Sequence, residues 1–221
     1  MKILAASDIH GHHAVYEWLV HEARTLGVDA LILAGDLLGF PDGHDIIEDA
    51  HRADAATITS ILHDTPAPVY YIMGNDDFVD LDSRHPGIVS LHERRIDFGP
   101  WNLVGYQYAL PFMGGIYEKP EDEIRADLTA LAAQVDSKTI LITHSPAHGI
   151  LDVGVLDQHA GSQAILDLVR DNNVRAHIHG HIHAHFGRVG PHFNVASGGR
   201  YRAMLIDLET LESSVVSRVT N

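Results

Sequence analysis

The sequence predicts an α/β fold with a mostly parallel sheet, and two observations lead to this prediction. Apolar segments of strand length alternate with longer segments whose apolar residues follow helical spacing. Several strand-length segments end in a glycine followed by a polar residue, as at Gly35-Asp36 and Gly74-Asn75. Alternating strands and helices are typical of a parallel sheet that carries helices on its faces.

The first half of the chain contains three predicted strands and two predicted helices. The strands are the apolar segments at residues 2–6, 29–34 and 68–73. A first helix is predicted where apolar residues follow helical spacing, at Val15, Trp18, Leu19, Ala23 and Leu26. Gly27 is its expected end, and a looser helical pattern follows over residues 46–63.

The second half begins with a predicted hairpin, in which residues 95–98 and 101–106 flank Gly99-Pro100. A loop rich in turn residues follows at 110–115. Two further helices are predicted, one from Ile124, Leu128, Leu131, Ala132 and Val135, the other from Ile165, Leu168 and Val169. The remaining predicted strands are residues 138–143 and 174–179, then short segments near 186–189, 192–196, 201–208 and 212–218. No linker or repeat interrupts the chain, so we expect one domain over residues 1–221.

Composition excludes several classes of protein. The 221 residues include no cysteine, which excludes disulfides, thiolate zinc sites and cysteine nucleophiles. Lys and Arg number 15 against 30 Asp and Glu, and a net charge of −15 repels nucleic acid and anionic membranes. The apolar runs are too short to span a bilayer or to form a signal-peptide core, so we expect a cytoplasmic protein.

Side chains that commonly bind metals follow the predicted strands at their carboxyl ends, where open α/β sheets bind ligands. They are Asp8, His10, Asp36, Asn75, His144, His181 and His183. The chain also has 18 histidines, and such nitrogen and oxygen ligands suit hard or borderline metals. Seven groups exceed the needs of one ion and suit two ions about 3.5–4 Å apart, with Asp36 as the shared carboxylate.

These motifs, in this order, resemble the calcineurin-like metallophosphoesterase family. The matching blocks are Asp8-x-His10, Gly35-Asp36, Gly74-Asn75, His144 and Gly180-His181-x-His183, and residues 194–198 resemble the last block of the family. The resemblance implies a four-layer α/β/β/α sandwich of two mixed sheets. It also implies that Asp8, His10, Asp36 and His183 hold one metal, and that Asp36, Asn75, His144 and His181 hold the second.

The implied activity is hydrolysis of a small phosphoester by a hydroxide that bridges two divalent ions. Mn²⁺, Fe²⁺, Ni²⁺ and Zn²⁺ are candidates, with Mn²⁺ favoured, and the sequence leaves the oligomeric state open. A phosphodiesterase is favoured over a phosphomonoesterase. The alternative is a metal-bound scaffold or interaction protein with little turnover. A nuclease is disfavoured because the chain shows no basic or aromatic track for a nucleic acid.

One position departs from the family pattern, and it is the candidate catalytic residue Asp76. The family usually has a histidine after the Gly-Asn pair, and that histidine protonates the leaving group or stabilises the transition state. An aspartate near its usual pKa of about 3.9 is a poor proton donor at neutral pH. The change therefore favours diesters, or other esters whose leaving group departs easily.

Several neighbouring residues have less specific interpretations. Asp77 is expected to cap a following helix. His177 and His179 are expected on a sheet face or behind the metal ligands, sharing one face with the later histidines if the strand continues unbroken. Residues that the sequence leaves open between substrate contact and a structural role are His12, His13, His148 and His185.

Overall fold

The computed structural model describes residues 1–40, 43, 45–81, 84–154 and 157–218. Within these residues the chain forms four helices, α1 (His13–Leu26), α2 (Ile47–Leu62), α3 (Glu121–Leu131) and α4 (Gln163–Asn172). It forms twelve strands: β1 (Lys2–Ala6), β2 (Ala30–Ala34), β3 (Val69–Ile72), β4 (Ile88–Ser90), β5 (Arg95–Phe98), β6 (Trp101–Tyr106), β7 (Thr139–Thr143), β8 (Ala176–His179), β9 (Gly187–Val189), β10 (His192–Asn194), β11 (Arg202–Asp207) and β12 (Ser213–Ser217).

The strands form two mixed sheets of six strands each. The first has the order β12-β11-β1-β2-β3-β4, with β1 to β4 parallel and β11 and β12 added antiparallel to their neighbours. The second has the order β5-β6-β7-β8-β10-β9, parallel from β6 to β10 and antiparallel at both edges. The parallel strands of each sheet end at a common edge, and the predicted ligands follow those ends.

Three apolar clusters lie between the layers. The central cluster joins inward residues of the first sheet, such as Ile3 and Ile32, to those of the second, such as Ile140 and Phe193. A second cluster packs α1 and α2 on the outer face of the first sheet, and a third packs α3 and α4 on the second. Each fully buried Leu or Ile contributes about 1.5–3 kcal/mol of transfer free energy. Helices, two facing sheets and helices thus form the four-layer α/β/β/α sandwich that the family resemblance implies.

The element predictions agree with the structure except at three places. The helix predicted to include Ala132 and Val135 ends as an α-helix at Leu131, and a 3-10 turn follows over Ala132–Gln134. β4 was not predicted, because its three residues are too short to show a pattern, yet it pairs in parallel with β3. The prediction that Asp77 caps a helix is wrong. After β3, no helix occurs among the described residues before β4, and the Asp77 side chain instead accepts hydrogen bonds from backbone N–H groups of other loops.

The histidine-rich segment after β8 does not continue as a strand. β8 ends at His179, and residues 183–185 form a single 3-10 turn. His177 and His179 are buried in the sheet, whereas His181 and His183 lie in the connection that follows it. The five histidines of this segment therefore do not share one face.

None of the helices in the described residues combines the length and the apolar character needed to cross a bilayer.

Candidate metal centre

The seven predicted ligands come together at the edge where the parallel strands of both sheets end. In the first sheet, β1 leads to Asp8 and His10, β2 to Asp36 and β3 to Asn75. In the second sheet, β7 leads to His144, and β8 leads to His181 and His183. Both sheets therefore supply side chains to one centre, and the central core holds their spacing.

A first group of ligand atoms consists of Asp8, His10 and His183, whose ligating atoms all lie within 4.8 Å of one another. Nε2 of His183 is 3.1 Å from Oδ1 of Asp8 and 3.5 Å from Nε2 of His10. Two imidazole nitrogens and a carboxylate oxygen thus face the same point. This combination could hold a divalent cation.

A second group consists of Asp36, His144 and His181, again within 4.8 Å of one another. Nε2 of His144 is 3.3 Å from Oδ1 of Asp36 and 2.9 Å from Oδ1 of Asn75. Nδ1 of His144 donates to the carbonyl of Ala34 at 3.0 Å, which fixes the ring and leaves Nε2 toward the centre.

The electrostatics of the centre favour positive charge. Burial alone would raise the pKa of both Asp8 and Asp36. The hydrogen bond from His183 nevertheless lowers the pKa of Asp8, and the charge of His144 lowers that of Asp36.

The imidazoles show the complementary shift. Burial would lower their pKa, but the bond to Asp76 and the charge of Asp36 raise the pKa of His10 to about 9. Asp36 raises that of His144 to about 10. A field that stabilises an imidazolium this strongly also stabilises a bound metal cation, so the donor set fits divalent ions.

Four of the seven predicted ligands have a left-handed backbone, which is uncommon for residues with a side chain. The φ angles are 54° at Asp8, 50° at His10, 51° at Asp36 and 70° at His181. Such conformations cost of order 1–3 kcal/mol each and cluster at functional sites, where the surrounding fold maintains them. Here each turn directs a ligand side chain toward the centre.

Glycines make room for the ligands. A Cβ atom at Gly35 would collide with the ring of His144, and one at Gly74 would collide with Asp36 Oδ1. A Cβ at Gly180 would collide with Ser7 and the Asp8 carboxylate. Glycine is therefore required at each of these three positions, because a neighbouring segment of the centre lies too close for a side chain.

Comparison with known proteins agrees with this geometry. The family model for calcineurin-like phosphoesterases matches residues 1–185. The chain belongs to the calcineurin-like phosphoesterase family. The family resemblance predicted from the sequence is thus confirmed, and the Asp and His groups of the centre could bind metal.

A curated relative and two solved structures are similar to this chain. A probable cyclic nucleotide phosphodiesterase of Rhodococcus erythropolis is 28% identical over 166 residues, which cover 70% of this chain and 51% of the relative. A protein of Thermus thermophilus has a TM-score of 0.72 at 22% identity, with 98% of each chain covered. A dimetal phosphatase of Danio rerio has a TM-score of 0.62 at 14% identity, also with 98% of each covered. The two structures show the shared fold.

The structure adds two residues that the sequence did not single out at the centre. The hydroxyl of Ser7 donates to Asp8 Oδ2 at 2.5 Å, so Ser7 holds a predicted ligand from behind. Asp77 is fully buried, and burial together with the charge of Asp36 raises its pKa to about 8. The only signal that the sequence offers is proximity to a ligand, since Ser7 directly precedes Asp8 and Asp77 lies two residues after Asn75.

A cleft of about 630 Å³ opens beside the centre. One wall carries His10, Asp36, Asn75, Asp76, His181 and His183. The other residues that line it include Leu110, Pro111, Phe112, Met113 and His159. No lysine or arginine is among the described residues that line the cleft.

The four histidines that the sequence left open between substrate contact and a structural role are not among the described residues that line this cleft. His13 contacts the buried carboxylate of Asp54, with Nε2 2.5 Å from Oδ1. His148 lies in a cluster with Asp152 and His159, in which His159 Nδ1 is 2.8 Å from Asp152 Oδ1. Of these three residues, His159 lines the cleft. His12 and His185 are likewise absent from the described lining.

Proposed function

We propose that this chain is a metal-dependent phosphodiesterase that binds two divalent ions. Mn²⁺ is the favoured metal among the candidates. The observation that carries the proposal is the pair of ligand groups, Asp8 with His10 and His183, and Asp36 with His144 and His181. Both sheets supply ligands to it, which also supports one domain over residues 1–221.

The proposed ligand sets follow the two groups. Asp8, His10 and His183 would hold one ion, Asn75, His144 and His181 would hold the other, and Asp36 would serve both. When bound, two such ions supply an activated water and neutralise charge on the phosphoryl oxygens. The chain contributes orientation: Ala34 fixes the ring of His144, and Ser7 fixes the carboxylate of Asp8.

The charge of the cleft supports a diester substrate over a monoester. At neutral pH a phosphodiester carries one negative charge, whereas a monoester carries nearly two. The described lining offers no lysine or arginine to offset the extra charge, and the half-exposed carboxylate of Asp76 lies in it. A monoester with an alcohol leaving group also needs a proton donor, a role to which aspartate is poorly suited at this pH.

The curated relative supports the same choice. It is named as a probable cyclic nucleotide phosphodiesterase, and a small cyclic or linear nucleotide diester would suit a cleft of this size. The chain spans about half the length of that relative, so the substrate is proposed by its chemical class, a small phosphodiester.

The alternative is a metal-binding scaffold with little turnover. The replacement of the family histidine by Asp76 permits it. Against it stands the retention of all seven candidate ligand side chains around one centre, since an interaction module has no need to keep every one.

A panel of chromogenic diesters and monoesters, assayed with Mn²⁺, Ni²⁺, Mg²⁺ and Zn²⁺, tests the proposal. We expect diester hydrolysis that requires added metal and exceeds monoester hydrolysis. His144→Ala should abolish it, whereas His21→Ala, at an exposed position of α1, should leave it unchanged. Metal binding without hydrolysis of any ester would support the scaffold instead, and a preference for monoesters would refute the diesterase.

A further inference from the structure

We infer that residues 110–118, here called the Phe112 loop, form a binding face for a flat aromatic ester group of the substrate, with the ring of Phe112 as its stacking surface. The inference rests on the proposed phosphodiesterase function and adds to it the chemical class of the group attached to phosphorus. A nucleobase and a simple aryl group share this flat π face, so both belong to the class.

The Phe112 loop lies directly against the predicted metal ligands. The ring of Phe112 meets the ring of His181 edge to face, with centroids 5.9 Å apart at an interplanar angle of 85°. At Gly115 the loop backbone approaches Asn75 so closely that a Cβ atom would collide with the Asn75 carbonyl oxygen. A group attached to a phosphoryl unit at the centre is therefore within reach of this ring.

A single carboxylate holds the loop in shape. Glu118 accepts hydrogen bonds from the backbone N–H groups of Phe112, Met113 and Gly114, each at 2.9 Å. Partial burial alone would raise the pKa of Glu118, but these N–H donors outweigh it and lower the pKa, so the carboxylate stays charged. Charge-assisted bonds of this kind are about twice as strong as neutral ones.

The loop presents large apolar side chains to solvent. Phe112 is 70% exposed and Met113 is 76% exposed, although both line the cleft. An exposed aromatic side chain on a fixed backbone loses little conformational freedom when a ligand covers it. The arrangement is that of a preformed contact surface.

The chemistry of the cleft selects the class of ligand. Its polar wall is formed by the predicted metal ligands and Asp76, and its other wall includes Leu110 and Pro111 beside Phe112 and Met113. The part of the substrate beyond the phosphoryl group can therefore contact these apolar side chains, while Gln158 and His159 add polar groups elsewhere in the lining. Ligands with a flat π system gain the most binding free energy there, because they stack on a phenyl ring and contact the methionine sulfur.

A binding experiment on the Mn²⁺-loaded protein tests this directly. Titration calorimetry with methylphosphonate, phenylphosphonate and adenosine 5′-monophosphate compares a ligand that has no ring with an aryl group and a nucleobase. We expect the wild type to bind at least one ring-bearing ligand more tightly than methylphosphonate. Phe112→Ala should weaken ring-bearing ligands about 5- to 100-fold, the range for loss of one stacked base, and leave methylphosphonate unchanged.

Two further variants separate stacking from disturbance of the loop. Phe112→Trp keeps an aromatic face and should retain the preference. Ile116→Ala removes another exposed apolar side chain of the same loop that is not among the described lining residues, and should change nothing. If Phe112→Ala loses affinity for phenylphosphonate alone, the face is assigned to aryl esters. If it loses affinity for the nucleotide, the face is assigned to nucleobases.

The outcomes distinguish this inference from the proposed function. If Phe112→Ala binds all three ligands as the wild type does, while the wild type hydrolyses diesters, the binding face is refuted and the phosphodiesterase stands. If the ring preference depends on Phe112 but no ester is hydrolysed, the face stands and the proposed function is refuted. If the wild type binds none of the three, the binding face is refuted, and the proposed function is judged by diester hydrolysis alone.

Discussion

Oδ2 of Asp76 lies 3.1 Å from Nδ1 of His10. With its proton on Nδ1 shared with this carboxylate, the His10 imidazole directs Nε2 toward His183, in the group that also includes Asp8. The backbone N–H of Asp76 also donates to Oδ1 of Asp36 at 2.9 Å. The residue that replaces the family histidine thus supports one predicted ligand by its side chain and another by its backbone, a contact that its motif position alone did not indicate.

Asp76→Asn should weaken metal binding more than it slows the chemical step. An amide supports the His10 tautomer less strongly than a carboxylate, and loss of such an outer partner typically costs 10- to 100-fold in metal affinity. We expect an affinity loss of about that size, with kcat at saturating metal reduced less than about 10-fold. Titration of apoprotein with Mn²⁺ and assays across metal concentration measure the two effects. Unchanged affinity with a large fall in kcat would instead give Asp76 a direct part in the reaction.

Asp36→Asn should remove the shared carboxylate and reduce bound metal from two ions toward one per chain. An amide offers one neutral oxygen where two ions need anionic oxygens. Turnover should therefore fall by more than about 100-fold, which exceeds the usual effect of losing a residue that only hydrogen-bonds to a metal ligand. Elemental analysis after gel filtration gives the metal content. Asp64→Asn, at an exposed position, is the control and should keep both ions. Two tightly held ions in Asp36→Asn would exclude the bridging role.

The predicted metal ligands could be placed from the sequence because each follows a strand that is readable as an apolar segment. β1, β2, β3, β7 and β8 are such segments, and parallel strands bring their carboxyl ends to one edge. The three residues of β4 carry no comparable pattern and were missed. Short strands at an edge are fixed by pairing with a neighbour, which a local pattern does not record.

The supporting contacts could not be predicted because they join distant parts of the chain. Asp77 reaches the backbone of Leu37 and Leu38, about 40 residues earlier, so its neighbours in sequence suggested only a helix cap. Glu118 shapes the backbone around Phe112 through a turn that composition shows only as a loop. The left-handed backbone at Asp8 and Asp36 likewise arises from the folded centre, since neither residue type requires it.

Acid should destabilise the protein through the buried histidine His177. Its Nε2 is 2.7 Å from Thr143 Oγ1 and its Nδ1 is 2.9 Å from Nδ1 of His192. Burial, followed by the charges of His179 and His192, holds the pKa of His177 well below its usual value. Below about pH 6.5 the unfolded chain therefore binds a proton that the folded chain does not. Stability from this group is complete above about pH 6.5 and falls as the pH decreases, by up to about 1.4 kcal/mol per pH unit.

His177→Gln tests the source of this acid sensitivity. Glutamine retains a donor and an acceptor but does not titrate. The free energy of unfolding of the variant protein should therefore fall less steeply between about pH 6.5 and about pH 5 than that of the wild type. Urea unfolding in the presence of a chelator keeps metal release out of the comparison. His21→Gln, at an exposed position, should keep the wild-type slope. Identical slopes in all three proteins would remove His177 as the cause.

Asp77→Asn should destabilise the fold although it changes only one atom. Oδ1 of Asp77 accepts N–H groups of Leu37 and Leu38 at 2.9 and 2.8 Å, and Oδ2 accepts that of Gly74 at 2.8 Å. Both oxygens of the Asp77 carboxyl can accept a hydrogen bond even when it carries a proton, whereas the NH₂ nitrogen of asparagine cannot, and an unsatisfied buried donor costs about 1–3 kcal/mol. We expect a loss of that size in urea unfolding, a larger loss for Asp77→Ala, and almost none for Asp64→Asn.

Because Asp77 ties the turn after β2 to the turn after β3, loss of the bond should also loosen Asp36 and Asn75. Metal affinity should therefore fall together with stability, and a stable Asp77→Asn protein with wild-type metal affinity would contradict this account.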